Sequence, residues 1–133
     1  MNITSETSGD LQILKVEETR IDAIAAIQFK DTVRKLTADQ DNAVVLDLSN
    51  VEFIDSSGLG AIVAAMKLLG RDRPLHLAGL TPIVAKVFTL TRMERVFKIF
   101  KSPLDALKMN EAKSAGWLFH RTYDHSVQNI FTT

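Results

Sequence analysis

The apolar positions of this chain fall into alternating periods. In residues 11–17, Leu11, Ile13, Leu14 and Val16 follow the turn signal Ser8-Gly9-Asp10 and predict a strand. Residues 2–7 predict a short edge strand before it. Ala25, Phe29, Val33 and Leu36 then recur at helical spacing, which predicts a helix over 23–37 capped by Asp22. The near-continuous apolar run 43–49 predicts a central strand covered on both faces. Residues 50–54 read as an irregular link. A stripe of Leu59, Ile62, Val63, Met66 and Leu69 predicts a helix over 57–69, stopped by Gly70. A strand over 75–78 follows, and Thr81-Pro82 opens a third helix with Thr81 as its cap. Residues 97–100 predict a last strand, and Ser102-Pro103 opens a fourth helix.

Such alternation implies an α/β fold with a largely parallel sheet and right-handed crossovers. We place one domain at 1–112, with 113–133 as an appended, helical segment. That segment holds Trp117, Phe119, Tyr123 and Phe131 without a clear period.

Composition narrows the function. The 133 residues carry 16 Lys+Arg and 16 Asp+Glu, so a dedicated nucleic-acid binder, which shows a basic excess, is not expected. With no cysteine there is no disulfide, thiolate zinc site or cysteine nucleophile. His120 and His125 without a third ligand make a poor metal site. No apolar run reaches membrane-spanning length, and the polar start lacks a signal-peptide pattern, so a cytoplasmic protein without a membrane partner is expected.

The informative segment is Phe53-Ile54-Asp55-Ser56-Ser57-Gly58-Leu59-Gly60, between the central strand and the second helix. Loops at the C-terminal ends of parallel strands are where sites concentrate. An Asp and two hydroxyls at a helix start make a good capping run. A phosphate-binding loop, a serine hydrolase and a phosphorylated serine compete with that reading. The first lacks the Lys-bearing glycine loop, and the second lacks the nucleophile elbow and a paired base. The residues alone leave capping and phosphorylation open.

The run VVLDLSNVEFIDSSGLGAIVAA resembles the signature of STAS-domain anti-sigma factor antagonists of the SpoIIAA/RsbV family. Arg20-Ile21-Asp22-Ala23, Leu75-His76-Leu77-Ala78-Gly79-Leu80-Thr81-Pro82, Val87–Met93 and Phe97–Phe100 match that family in order, over about residues 10–110. The resemblance implies the STAS fold, with a mixed, mostly parallel sheet of four to five strands and about four helices. It implies a binding protein with no catalysis and no cofactor of its own, ATP and metal belonging to its partners. The unphosphorylated form binds an anti-sigma factor that is also a histidine-kinase-like ATPase, and the sigma factor is released. That kinase phosphorylates Ser56, which prevents binding, and a PP2C-type phosphatase reverses it. The alternatives are a STAS accessory subunit of a lipid or anion transport complex, and a small enzyme with Ser56 as nucleophile.

The partner-binding surface is expected around Ser56. Asp55 precedes it as cap or partner contact, and Ser57 as cap or second acceptor. Gly58 leaves the helix start unobstructed. Asp22 caps the first helix or shapes the docking surface. Ser57, Ala61, Ala64, Ala65 and Leu68 are expected as a low-relief outer face of the second helix. Arg71, Asp72 and Arg73 are expected as a solvated turn, with a docking rim as the alternative, and His76 as structural. Two departures from the family pattern stand out. One is the appended segment. The other is Glu18-Thr19-Arg20, in which the usual Gly is missing and Arg20 replaces an acidic residue.

Overall fold

The computed structural model describes residues 1–115, with side chains to residue 110. Strands β1 (Ile3–Ser8) and β2 (Leu11–Val16) form an antiparallel hairpin, and β4 (Ala43–Asp47), β6 (Leu75–Ala78) and β7 (Ile99–Phe100) continue the sheet in parallel. The order is β1-β2-β4-β6-β7, a mixed and mostly parallel five-stranded sheet. A second, two-stranded parallel sheet pairs β3 (Arg20–Ile21) with β5 (Phe53–Ile54). The link expected at 50–54 is therefore partly strand.

The side-chain alternation of β2 and β4 sorts two cores. Leu14 and Val16 of β2, with Val44 and Leu46 of β4, face α1 (Ala23–Thr37), α2 (Ser56–Leu69) and α3 (Pro82–Leu90), burying Phe29, Val33, Ile62, Ala65, Val84 and Phe88 against them. Leu11, Ile13, Val45, Ala78 and Phe100 point to the other face, where Ala106 of α4 (Pro103–Ala115) is buried with them. Both faces of the central strands are thus dry, which is why their sequence reads as an apolar run rather than an alternation.

Helix boundaries follow local chemistry. Gly70 ends α2 at φ 82°, a conformation that costs glycine little, and its N–H returns to the Met66 carbonyl at 3.3 Å. The Ser102 hydroxyl accepts the Asp105 N–H at 3.3 Å at the start of α4. Thr81 precedes α3 but does not cap it with its side chain. Its hydroxyl donates instead to the Val51 carbonyl at 2.7 Å, tying α3 to the link that leads into β5.

Arg73 also departs from its expected role in a solvated turn. It donates to the carbonyls of Asn42 and Thr37 at 2.8 and 2.7 Å and to Gln12 Oε1 at 3.2 Å. The amide of the fully buried Gln12 donates in turn to Leu36 O and Ser5 Oγ. Burying an amide without partners is costly, and this network removes that cost. Arg71 and Asp72 are exposed as expected. His76 lies in β6 with its ring edge-on to Phe100, at 5.7 Å between centroids. Helix α4 crosses the expected boundary at 112 and reaches Ala115. The remainder of the appended segment, with Trp117, Phe119, His120, Tyr123, His125 and Phe131, lies outside the described residues. Among the described residues, no helix is long and apolar enough to cross a membrane.

Candidate functional site

The small β3–β5 sheet builds the site. Arg20 is in register with Phe53 and Ile21 with Ile54, and the Asp55 N–H adds a 3.4 Å bond to Ile21 O. Ile21 and Ile54 turn inward and are buried, while Arg20 and Phe53 turn outward. Each strand then ends in an aspartate that starts a helix. The two helix starts, at Asp22 and Asp55, therefore stand side by side.

The two aspartates do the same job in nearly the same conformation. Asp22 has φ −103° and ψ −170°, and Asp55 has φ −103° and ψ −175°. Asp22 Oδ1 accepts the Ala25 N–H at 3.1 Å, and Asp55 Oδ1 accepts the Gly58 N–H at 2.9 Å. Each carboxylate thereby satisfies an orphan donor and complements the positive end of its helix dipole.

Ser56 is consequently relieved of capping. It is the first helical residue of α2, it is exposed, and no hydrogen bond engages its hydroxyl among the described residues. Ser57 is likewise exposed within the first turn and does not cap the helix. Gly58 is buried against β3, where a Cβ would stand 2.0 Å from the Ile21 carbonyl oxygen. Its role is close approach, which seats the first turn of α2 on the small sheet.

The outer face expected on α2 is only partly present. Ala61 and Ala65 are buried in the core, and α2 packs against α1 as well as the sheet. Ala64 is half-buried and Leu68 is exposed. The surface that remains around the helix start is formed by Asp22, Asp55, Ser56 and Ser57, with two residues outside the expected partner-binding set. These are Arg20 and Phe53. The Arg20 guanidinium carbon lies 4.4 Å from the Phe53 ring centroid, and its Nε lies 3.8 Å from Asp22 Oδ2. Only the pairing of β3 with β5 brings them together, so local sequence carried no signal for the contact. Ile24, in the first turn of α1, is 76% exposed.

The arrangement can present a hydroxyl to an incoming phosphoryl donor at a helix N-terminus. The helix dipole tolerates the added negative charge, while the two neighbouring carboxylates make the surface strongly anionic once it is added. No histidine hydrogen-bonds Ser56 among the described residues, so the geometry supplies no visible activation of a nucleophile.

Comparison with known proteins agrees with this construction. A family model described as the STAS domain matches residues 2–106. The anti-sigma-F factor antagonist RsfB of Mycobacterium tuberculosis is 29% identical over 87 residues, covering 65% of this chain and 71% of its own. An anti-sigma-B factor antagonist of Staphylococcus aureus is 23% identical over 101 residues, covering 74% and 94%. The crystal structure of an anti-sigma factor antagonist from Mycobacterium paratuberculosis superposes with a TM-score of 0.72 at 26% identity, covering 81% of this chain and 92% of that one. In sequence motif, strand order and extent of match, the chain belongs to the STAS domain family.

Proposed function

We propose that this chain is an anti-sigma factor antagonist working by partner switching. In its unphosphorylated form it binds an anti-sigma factor with a histidine-kinase-like ATPase domain, so that the sigma factor is released. That partner transfers the γ-phosphoryl group of ATP to Ser56 Oγ, the hydroxyl proton leaving and ADP departing. The phosphorylated chain no longer docks, and a PP2C-type phosphatase hydrolyses the ester to restore it. The chain itself contributes no catalysis.

One observation carries the reading. Asp55, not Ser56, caps α2, which leaves the Ser56 hydroxyl exposed, and unengaged among the described residues, at a surface flanked by Asp22, Asp55 and Ser57. A serine needed for capping would lose a helix bond on modification, whereas this one loses none. Phosphorylation adds about −1.5 to −2 charges beside Asp22 and Asp55, which makes the docking surface repulsive and strongly hydrated. The names of the two antagonist relatives support the partner class.

The test is binding to each anti-sigma factor of the same genome, compared between unphosphorylated protein and protein carrying phosphoserine at 56. Stable complexes of the first and none of the second are expected. Equal binding of both forms would overturn the switch. Binding of neither form, with stable capture by a transport permease, would favour an accessory-subunit role instead.

A further inference from the structure

We infer that Arg20, laid over the ring of Phe53, is the residue by which this chain selects its partner, and that it receives a carboxylate of the anti-sigma protein. The inference rests on the reading of the Ser56 surface as a docking surface and adds its specificity.

Position comes first. Arg20 is the register partner of Phe53, three residues ahead of Ser56. Gly58 seats the first turn of α2 against the carbonyl of Ile21, the residue next to Arg20. Arg20 is therefore part of the same surface as Ser56, and its side chain is 60% exposed.

Pre-organisation comes second. The guanidinium stacks 4.4 Å above an aromatic ring that is itself partly exposed, and its Nε faces Asp22 Oδ2 at 3.8 Å. An arginine on a free surface loses rotamer freedom when it binds, and one already parked on a ring loses less. The stack and the Nε contact leave the terminal amino groups without a hydrogen-bonded partner among the described residues. A planar fork in that state suits bidentate capture of a carboxylate.

Charge comes third. Asp22 and Asp55 each commit one oxygen to a helix start, so both carboxylates are held in place. Arg20 sets one cation among these fixed anions. A partner complementary to carboxylates alone would present only bases here and would be repelled by Arg20. A partner that fits this chain must place an acid over β3, within an interface otherwise basic or neutral.

The experiment titrates unphosphorylated protein against each anti-sigma factor of the same genome, at low and high salt. Arg20→Glu should weaken the complex about a hundredfold, and Arg20→Lys, which keeps charge but loses the fork, about tenfold. Arg71→Glu, at the far end of α2, should leave it unchanged. Replacing acidic residues of the partner by lysine, one at a time, should yield one variant that restores binding to Arg20→Glu while losing the parent chain. Arg20→Gln serves if the reversed charge impairs folding, which a melting curve checks. Unchanged affinity of Arg20→Glu or Arg20→Gln overturns the inference and leaves the docking reading standing. So does a loss that no partner substitution rescues. Failure of the parent chain to bind any anti-sigma factor overturns the docking reading and this inference with it.

Discussion

Gly58 and the carbonyl of Ile21 are in contact so close that a methyl group at Gly58 would stand 2.0 Å from the oxygen. The first turn of α2 is thereby pressed onto β3, and the whole surface around Ser56 depends on that approach. The backbone carbonyl has no alternative rotamer with which to yield. Gly58→Ala should therefore destabilise the domain by about 1–3 kcal/mol, despite alanine's better helix propensity. Gly60, two residues on, has open space where its Cβ would go. Gly60→Ala should stabilise by about 0.5–1 kcal/mol. Thermal melts of the two variants side by side check the contrast, and stabilisation by both would refute the close approach.

The division of labour between Asp55 and Ser56 is measurable without any partner. Asp55→Ala removes the acceptor of the Gly58 N–H and should cost about 0.5–2 kcal/mol. Ser56→Ala removes an exposed hydroxyl that bonds nothing among the described residues and should change stability by no more than about 0.5 kcal/mol. Denaturant titrations distinguish the two. A Ser56→Ala loss as large as that of Asp55→Ala would mean that the serine has a structural duty.

Arg73 should prove as important to stability as a core residue. Its removal takes a charged donor from the carbonyls of Thr37 and Asn42 and from the buried Gln12 amide, leaving the Thr37 carbonyl only a 3.4 Å bond from the Gln40 N–H. Arg73→Ala should cost about 2–4 kcal/mol, given the value of charge-assisted bonds and the penalty for unpaired groups. Arg71→Ala, at an exposed neighbour, should be nearly silent. Equilibrium unfolding of both variants provides the comparison.

One acid responds to its neighbours on α1. Hydrogen bonds from Lys35 and then Arg34 hold the Asp31 carboxyl below the ordinary carboxylate range. A lowered folded-state value means that the ionised form favours folding. That contribution is present above the unfolded value and fades as pH falls through the folded one. Because the carboxylate lies at the surface, with its side chain 43% exposed, the effect is small and sensitive to salt. A carboxyl-carbon NMR titration should show the Asp31 midpoint depressed at low salt and moving upward at high salt.

The sequence made the main sheet and its helices legible because their signals are local. The run at Val44–Leu46 marks a strand covered on both faces, and Asp22, Gly70 and Ser102 mark helix ends by chemistry within a few residues. The β3–β5 sheet escaped because two residues per strand leave no period to read. The serines of the Asp-Ser-Ser run look equally fit to cap, and only the backbone geometry gives that duty to Asp55. Ala61 and Ala65 resembled an outer face because α2 has two packing partners, α1 and the sheet, and one helical stripe accounts for only one of them. Arg73 looked solvated because its acceptors lie far away in the chain, at Gln12, Thr37 and Asn42.

The most direct test of the switch is the intact mass of the full chain after incubation with ATP and each anti-sigma kinase of the same genome, beside Ser56→Ala. The account predicts a gain of a single phosphate, mapped to Ser56 by fragmentation and absent from the variant. Phosphate retained in Ser56→Ala, or no phosphate from a kinase that binds the chain stably, would contradict it.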